Sequence, residues 1–150
     1  MLFSAKAEYA CLAMLELATR SGEERPARLV ELAEKHDIPQ RFLVQILLQL
    51  KGAKLVDSVR GAAGGYTLAR SPETITLAEI LAVVDPSDRT PRIGRNGKQT
   101  RFSGTSSGGV AVIRDLWKDV EAAQRRVLEG VSLSELVTRA ERQNGLLYEI

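Results

Sequence analysis

The segment between Pro39 and Gly52 constrains the fold more than any other stretch, because it carries two incompatible faces. At about 100° per residue, Leu43, Ile46, Leu47 and Leu50 share one sector roughly 100° wide, while Arg41, Val44, Gln45 and Leu48 fall on the opposite one. A proline suits the first turn of a helix but not its middle, so Pro39 marks the start. Gly52 is the expected terminator. A helix from about Gln40 to Lys51 built this way must press its aliphatic side onto a core. Its other side then presents a cation and an amide flanked by small apolar groups.

The neighbouring segments supply that core. Ser4 opens a helical pattern in which Ala10, Ala13, Met14 and Leu17 form one stripe, with Glu8, Glu16 and Arg20 elsewhere on the wheel. Ser21-Gly22 and Pro26 break it. A second helix is expected from about Ala27 to Asp37, with Leu29, Leu32, Ala33 and His36 on one stripe. Two short β-branched segments follow, Leu55 to Val59 and Gly65 to Leu68. The run Arg60-Gly61-Ala62-Ala63-Gly64-Gly65 between them suits only a hairpin turn. Thr76 and Glu79 form a capping box ahead of Ile80, Leu81, Val83 and Val84, a short helix ending near Asp85-Pro86.

Residues 85–109 are mostly Gly, Pro, Ser and Thr, with Ile93 and Phe102 as the sizeable apolar groups, and read as a long loop. From Gly109 the helical period returns. Val110, Ile113, Trp117, Val120, Gln124 and Val127 alternate by three and four, a stripe too short to establish a coiled coil from pattern alone. Ser132 and Glu135 open a last short helix, expected to end near Arg142. The expected fold is mainly α with a small β-hairpin. Residues 1–84 read as a winged helix-turn-helix domain, 85–109 as a flexible basic loop, and 110–150 as a long helix and a C-terminal helix.

Composition narrows the function classes. The chain has 150 residues, 44% of them apolar and 27% charged, which describes an ordinary globular protein. A single cysteine, Cys11, excludes an intramolecular disulfide framework. With one histidine it also excludes zinc sites built from several Cys or His, and a cysteine-ligated iron–sulfur cluster within one chain. No stretch approaches the roughly 18 apolar residues of a membrane span, and the expected location is the cytoplasm. Net charge is only +2, but residues 38–70 hold Arg41, Lys51, Lys54, Arg60 and Arg70 against Asp57 alone. The loop adds Arg89, Arg92, Arg95, Lys98 and Arg101 against Asp85 and Asp88. Two basic segments on a nearly neutral chain suit a localised anionic partner, or are two solvated surfaces.

Three helices, a hairpin and a further helix, in that order, make a winged helix-turn-helix. A helix entering the roughly 12 Å major groove needs one anchored face and one of short or hydrogen-bonding groups. Gln45 can pair bidentately with adenine, Arg41 can meet guanine or phosphate, and Val44 a thymine methyl. Gln40 and Lys51 flank them at the helix ends. The wing needs a cation and small residues so that backbone N–H groups can approach phosphate or a minor groove, and Arg60, Gly61, Gly64 and Gly65 supply these. The same elements also occur in protein-interaction modules that never touch nucleic acid. An enzyme is not expected. His36 lacks a nucleophile-elbow partner, and the glycine run lacks the Gly-Lys-Ser/Thr ending of a phosphate-binding loop.

The string Leu50-Lys51-Gly52-Ala53-Lys54-Leu55-Val56-Asp57-Ser58-Val59-Arg60-Gly61-Ala62-Ala63-Gly64-Gly65-Tyr66-Thr67-Leu68-Ala69 resembles the wing signature of the Rrf-type (IscR/NsrR/CymR-like) bacterial transcription regulators. Ser4-Ala5-Lys6-Ala7-Glu8-Tyr9-Ala10, Phe42-Leu43-Val44-Gln45-Ile46-Leu47 and Leu116-Trp117 fit the same pattern, and the resemblance runs from Met1 to about Val137. It implies a homodimeric, sequence-specific DNA-binding regulator, expected to be a repressor on a near-palindromic operator. Ser4 and Lys6 would contact the DNA backbone, Arg41, Val44 and Gln45 would read bases, and Arg60, Gly64 and Tyr66 would clamp the flank. The helix bearing Val110, Ile113, Trp117, Val120 and Val127 would form the dimer interface.

The chain also departs from that family. Cluster-binding members hold iron with three cysteines in the loop before the dimer helix, and residues 85–109 contain none, so no cofactor is expected. Ala62-Ala63 replaces a frequent Pro-Gly, implying a less rigid wing tip. The basic loop, with Ser106 to Gly109 leading into a helix N-terminus, either receives a small anionic effector or lends its cations to DNA association. Cys11 reads as a small core residue, with a redox thiol as the alternative. His36 reads as partly buried, and Trp117 as an interface or core anchor.

Overall fold

The computed structural model describes residues 3–86 and 108–148. Ser4 is extended and its Oγ accepts the Ala7 N–H at 3.1 Å, which caps helix α1 (Ala5–Thr19). Helix α2 (Leu29–Lys35) is shorter than the sequence suggests. Ala27 is drawn out of it because both of its backbone groups pair with Tyr66: its N–H donates to the Tyr66 carbonyl at 3.0 Å, and its carbonyl accepts from the Tyr66 N–H at 2.8 Å. At the other end Asp37 takes a left-handed conformation (φ 52°), which lets the Ile38 N–H reach the Ala33 carbonyl at 2.9 Å.

Helix α3 (Gln40–Gly52) buries Leu43, Ile46, Leu47 and Leu50. Gly52 is still helical, contrary to its expected role as terminator. Lys54 takes the left-handed position (φ 60°), and the last carbonyls are satisfied by Lys54 N–H on Lys51 and Leu55 N–H on Leu50, each at 3.0 Å. Strands β1 (Val56–Val59) and β2 (Gly65–Leu68) pair antiparallel, Val56 opposite Leu68 and Val59 opposite Gly65. Gly65 has to be glycine, because a Cβ there would overlap the Ala27 carbonyl that pairs with Tyr66.

A short 3₁₀ turn (Pro72–Thr74) leads into α4 (Leu77–Val84). Its capping box forms as expected, with Thr76 N–H on Glu79 Oε2 at 3.1 Å and Glu79 N–H on Thr76 Oγ1 at 3.3 Å. Helix α5 (Gly108–Glu129) follows the undescribed segment, then α6 (Leu133–Tyr148). Helix α6 runs past its expected end at Arg142, because Gly145 does not interrupt it. Met14, Leu32, Leu43, Leu47, Leu50, Ile75, Ile80 and Leu133 have no exposed surface and belong to one core. The start of α6 is tied into that core, with Leu133 N–H on the Ile75 carbonyl (2.9 Å) and Leu77 N–H on Val131 (3.0 Å).

Glu16 corrects the wheel drawn for α1. It is buried, the only charged residue so placed among the described residues. Helix α2 packs on that side and brings partners with it. Glu16 Oε1 accepts from Arg20 Nε and Lys35 Nζ, both at 2.9 Å, and His36 Nε2 lies 3.3 Å from Oε2. Burial alone raises the Glu16 carboxyl, but the hydrogen bonds from Lys35 and Arg20, the Lys35 charge and His36 outweigh it and hold the group below the ordinary carboxylate range. Arg20 also donates to Glu31 at 3.0 Å, as does Arg25 at 2.7 Å, so the network fastens α1 to the start of α2. Among the described residues, no helix is long and apolar enough to cross a membrane.

Candidate nucleic-acid interface

The rotation of α3 about its own axis is fixed by its buried side. Each of Leu43, Ile46, Leu47 and Leu50 contributes roughly 1.5–3 kcal/mol on burial, so turning the helix would cost several times thermal energy. Its outer side is set by default. Gln40, Arg41 and Gln45 are exposed, and Val44 is half-buried between them. The Arg41 guanidinium lies 4.9 Å from the centroid of the Phe42 ring, which keeps the cation close to the helix surface. Phe42 is 45% and Leu48 60% exposed, so the face is amphipathic rather than purely polar. At the far end Lys51 Nζ donates to Ser58 Oγ at 2.6 Å, joining α3 to β1 and placing that cation between helix and wing.

The wing carries Arg60, exposed, at the end of β1. Gly64 N–H donates to the Gly61 carbonyl at 3.0 Å, and a Cβ on Gly64 would overlap the Val59 carbonyl, so the tip closes only with glycine there. Tyr66 is half-buried and its ring packs against the core, while its backbone is engaged by Ala27. Lys6 is half-exposed on the first turn of α1. The Ser4 hydroxyl already has two partners, accepting from Ala7 and donating to Asp85 Oδ2 at 3.2 Å. A phosphate at Ser4 therefore has to displace the Asp85 carboxylate, a contact between residues 81 positions apart that no local pattern announces. Arg28 was missed in the same way: its Nη2 donates to the Ala62 carbonyl at the wing tip, 2.7 Å away.

A cavity of about 340 Å³ opens between the α1–α2 turn and β2, with Arg20, Arg25, Arg70 and Tyr66 in its lining. Each of these guanidiniums is already paired, Arg20 and Arg25 as above and Arg70 with Glu79 at 2.7 Å. The cavity presents ion pairs rather than unpaired cations. The cations at 89–101 and the serines at 106–107 considered for an anionic effector lie outside the described residues.

Helix α5 has no buried residue along its 22 positions. Ile113, Trp117, Val120 and Val127 of the sequence-read stripe are exposed, joined by Val112 and Leu116, while Val110 is half-exposed. Trp117 is 55% exposed and joins no core among the described residues.

Three helices, a two-stranded wing held against the second of them, and an outward third helix define a winged helix-turn-helix protein. The chain matches the Rrf2 family, described as iron-dependent transcriptional regulators, over residues 3–139. It is 34% identical over 144 residues to the HTH-type transcriptional regulator IscR of Aliivibrio salmonicida, covering 95% of this chain and 81% of that one. Among solved structures, IscR of T. potens superposes with a TM-score of 0.74 at 30% identity, covering 95% of this chain and 90% of that one. CymR, the global cysteine regulator of B. subtilis, gives 0.74 at 28% identity, covering 93% and 98%. The chain belongs to the Rrf2 family of transcriptional regulators, which are not enzymes.

The donor set of this chain does not fit a cysteine-ligated iron centre. Its one cysteine, Cys11, is half-buried on α1 against the core, where burial and the nearby Glu8 push the thiol up to about 11. Thiolate, the ligating and reactive form, is therefore scarce at neutral pH. Its one histidine, His36, faces Glu16. Among the described residues, no group of three or more His, Cys, Asp or Glu is placed to hold a metal ion.

Proposed function

We propose that this regulator reads DNA sequence through the outer side of α3 and acts as a cytoplasmic homodimer on a near-palindromic operator, repressing by occupying it. The observation that carries the reading is the division of α3: an aliphatic face fully committed to the core, and Gln40, Arg41, Val44 and Gln45 left outward without a structural task. In this reading Arg41, Val44 and Gln45 meet base edges. Gln40, Lys51, Ser4 and Lys6 meet phosphates, and Arg60 with the Gly64 and Tyr66 backbone lies along the flank. The α5 stripe from Val110 through Ile113, Trp117 and Val120 to Val127 meets a second copy. Two copies of α3 then sit about 34 Å apart, one turn of duplex. The protein uses no iron–sulfur cluster, because three thiolates cannot be assembled from Cys11 alone.

Exposed Phe42 and Leu48 favour a second reading, a winged-helix module that binds a protein instead. Salt separates the two. Binding to duplex should weaken steeply between about 50 and 200 mM salt through counterion release. Duplex binding that is absent, or flat with salt, supports the protein-interaction module.

A further inference from the structure

The ladder of the wing is tied to the rest of the fold at one residue pair, and its tip turn by a single side chain. At the Ser58–Tyr66 pair, Tyr66 and Ala27 exchange two backbone hydrogen bonds and Lys51 Nζ donates to Ser58 Oγ. At its tip, Arg28 Nη2 donates to the Ala62 carbonyl at 2.7 Å, across 34 positions of sequence. The root of Arg28 is itself fixed. It is the N-cap of α2, adjoins Ala27, and its N–H faces Glu31, which Arg20 and Arg25 hold in place. Beyond the Ser58–Tyr66 pair there remain only the Val59–Gly65 pair and a glycine-rich turn closed by the Gly64–Gly61 bond, which can move on its own. The bond from Arg28 fastens that turn to the body. Ala62 and Ala63 are exposed, and their methyl groups are too short to order the tip.

We infer that Arg28 is a positioning residue for DNA binding: a side-chain strap that holds the tip turn of the wing in place, and with it the reach of Arg60 toward the flank. The inference rests on the DNA reading only for its consequence, since the strap itself is a property of the free protein. Both partners are solvent-exposed, so the bond adds little to global stability and acts on local order.

The test compares the full chain with Arg28→Ala and with Arg28→Ala combined with Ala62→Pro. Proline is compatible with position 62, where φ is not positive and, among the described residues, the N–H donates to no backbone carbonyl. It stiffens the tip from within the backbone. Hydrogen exchange at the Gly64 amide, bonded to Gly61, reads tip order without DNA. Arg28→Ala should raise that exchange about five-fold with α3 amides unchanged, and Ala62→Pro should restore it. Affinity for a duplex long enough to reach the wing should fall about three- to ten-fold in Arg28→Ala and recover in the double variant. Unchanged exchange in Arg28→Ala overturns the strap. Restored exchange without restored affinity also overturns the positioning role and makes Arg28 a direct phosphate contact. If the unaltered protein binds no duplex, the DNA reading fails while the exchange result still decides the strap.

Discussion

In α3, Leu43, Ile46, Leu47 and Leu50 are at most 1% exposed, whereas none of the 22 residues of α5 is buried and Trp117 and Val127 are more than half exposed. Both helices carry amphipathic sequence. The first spends one apolar side inside its own chain and leaves an amphipathic side outward; the second, among the described residues, leaves its apolar side uncovered. Most helical stability in proteins comes from packing an apolar face; among the described residues nothing covers that of α5, and in the proposed dimer a second copy would. In the proposed function the same pattern marks a reading surface in one place and an association surface in the other.

Four experiments sharpen or break that contrast. The largest effect is expected from Leu47→Ala, which opens a cavity under α3 and should cost about 2–5 kcal/mol in denaturant unfolding. Its neighbour Leu48→Ala should stay within about 0.5 kcal/mol, and equal costs would mean that α3 is not anchored on one side. Next comes Trp117→Asp on α5. It should weaken self-association by about 2–4 kcal/mol in sedimentation equilibrium and reduce helical circular dichroism. A variant that self-associates like the unaltered chain removes α5 from the interface.

Gln45→Ala should relax base preference at one position per half-site, at about 1–3 kcal/mol, with stability unchanged. Equal losses on specific and random duplex would take Gln45 out of the reading role. The smallest effect concerns Glu16, whose carboxyl is held below the ordinary range in the fold. Its contribution is fully present above the unfolded value near 4.3 and fades as pH falls through the lower folded one. As pH falls below the unfolded value and through the lower folded one, Glu16→Gln should therefore lose less stability than the unaltered chain, and parallel curves would deny Glu16 that role.

What could be read from sequence was whatever depends on residues close together in the chain. The face of α3, the hairpin with Gly65 opening its second strand, and the capping box at Thr76 and Glu79 follow from periodicity, glycine placement and three-residue reach. What escaped depends on packing between distant segments. Glu16 was placed on the wet side of α1 because nothing local shows α2 arriving with Lys35 and His36. Ala27 was assigned to a helix because its pairing partner, Tyr66, lies beyond α3. The Ser4–Asp85 and Arg28–Ala62 contacts likewise join opposite ends of the winged domain. Wing stiffness was expected to suffer from Ala62-Ala63, and the side chain that holds the tip came from α2. Helix α6 runs past its expected end near Arg142, through Gly145 to Tyr148.

Whether two copies of α3 read one duplex is decided by selecting bound sequences from a random duplex pool. Enrichment is expected for an inverted repeat whose half-site centres lie about 10 base pairs apart, or a whole multiple of that spacing. Recovery of no preferred sequence, or of a single unrepeated half-site, would contradict it.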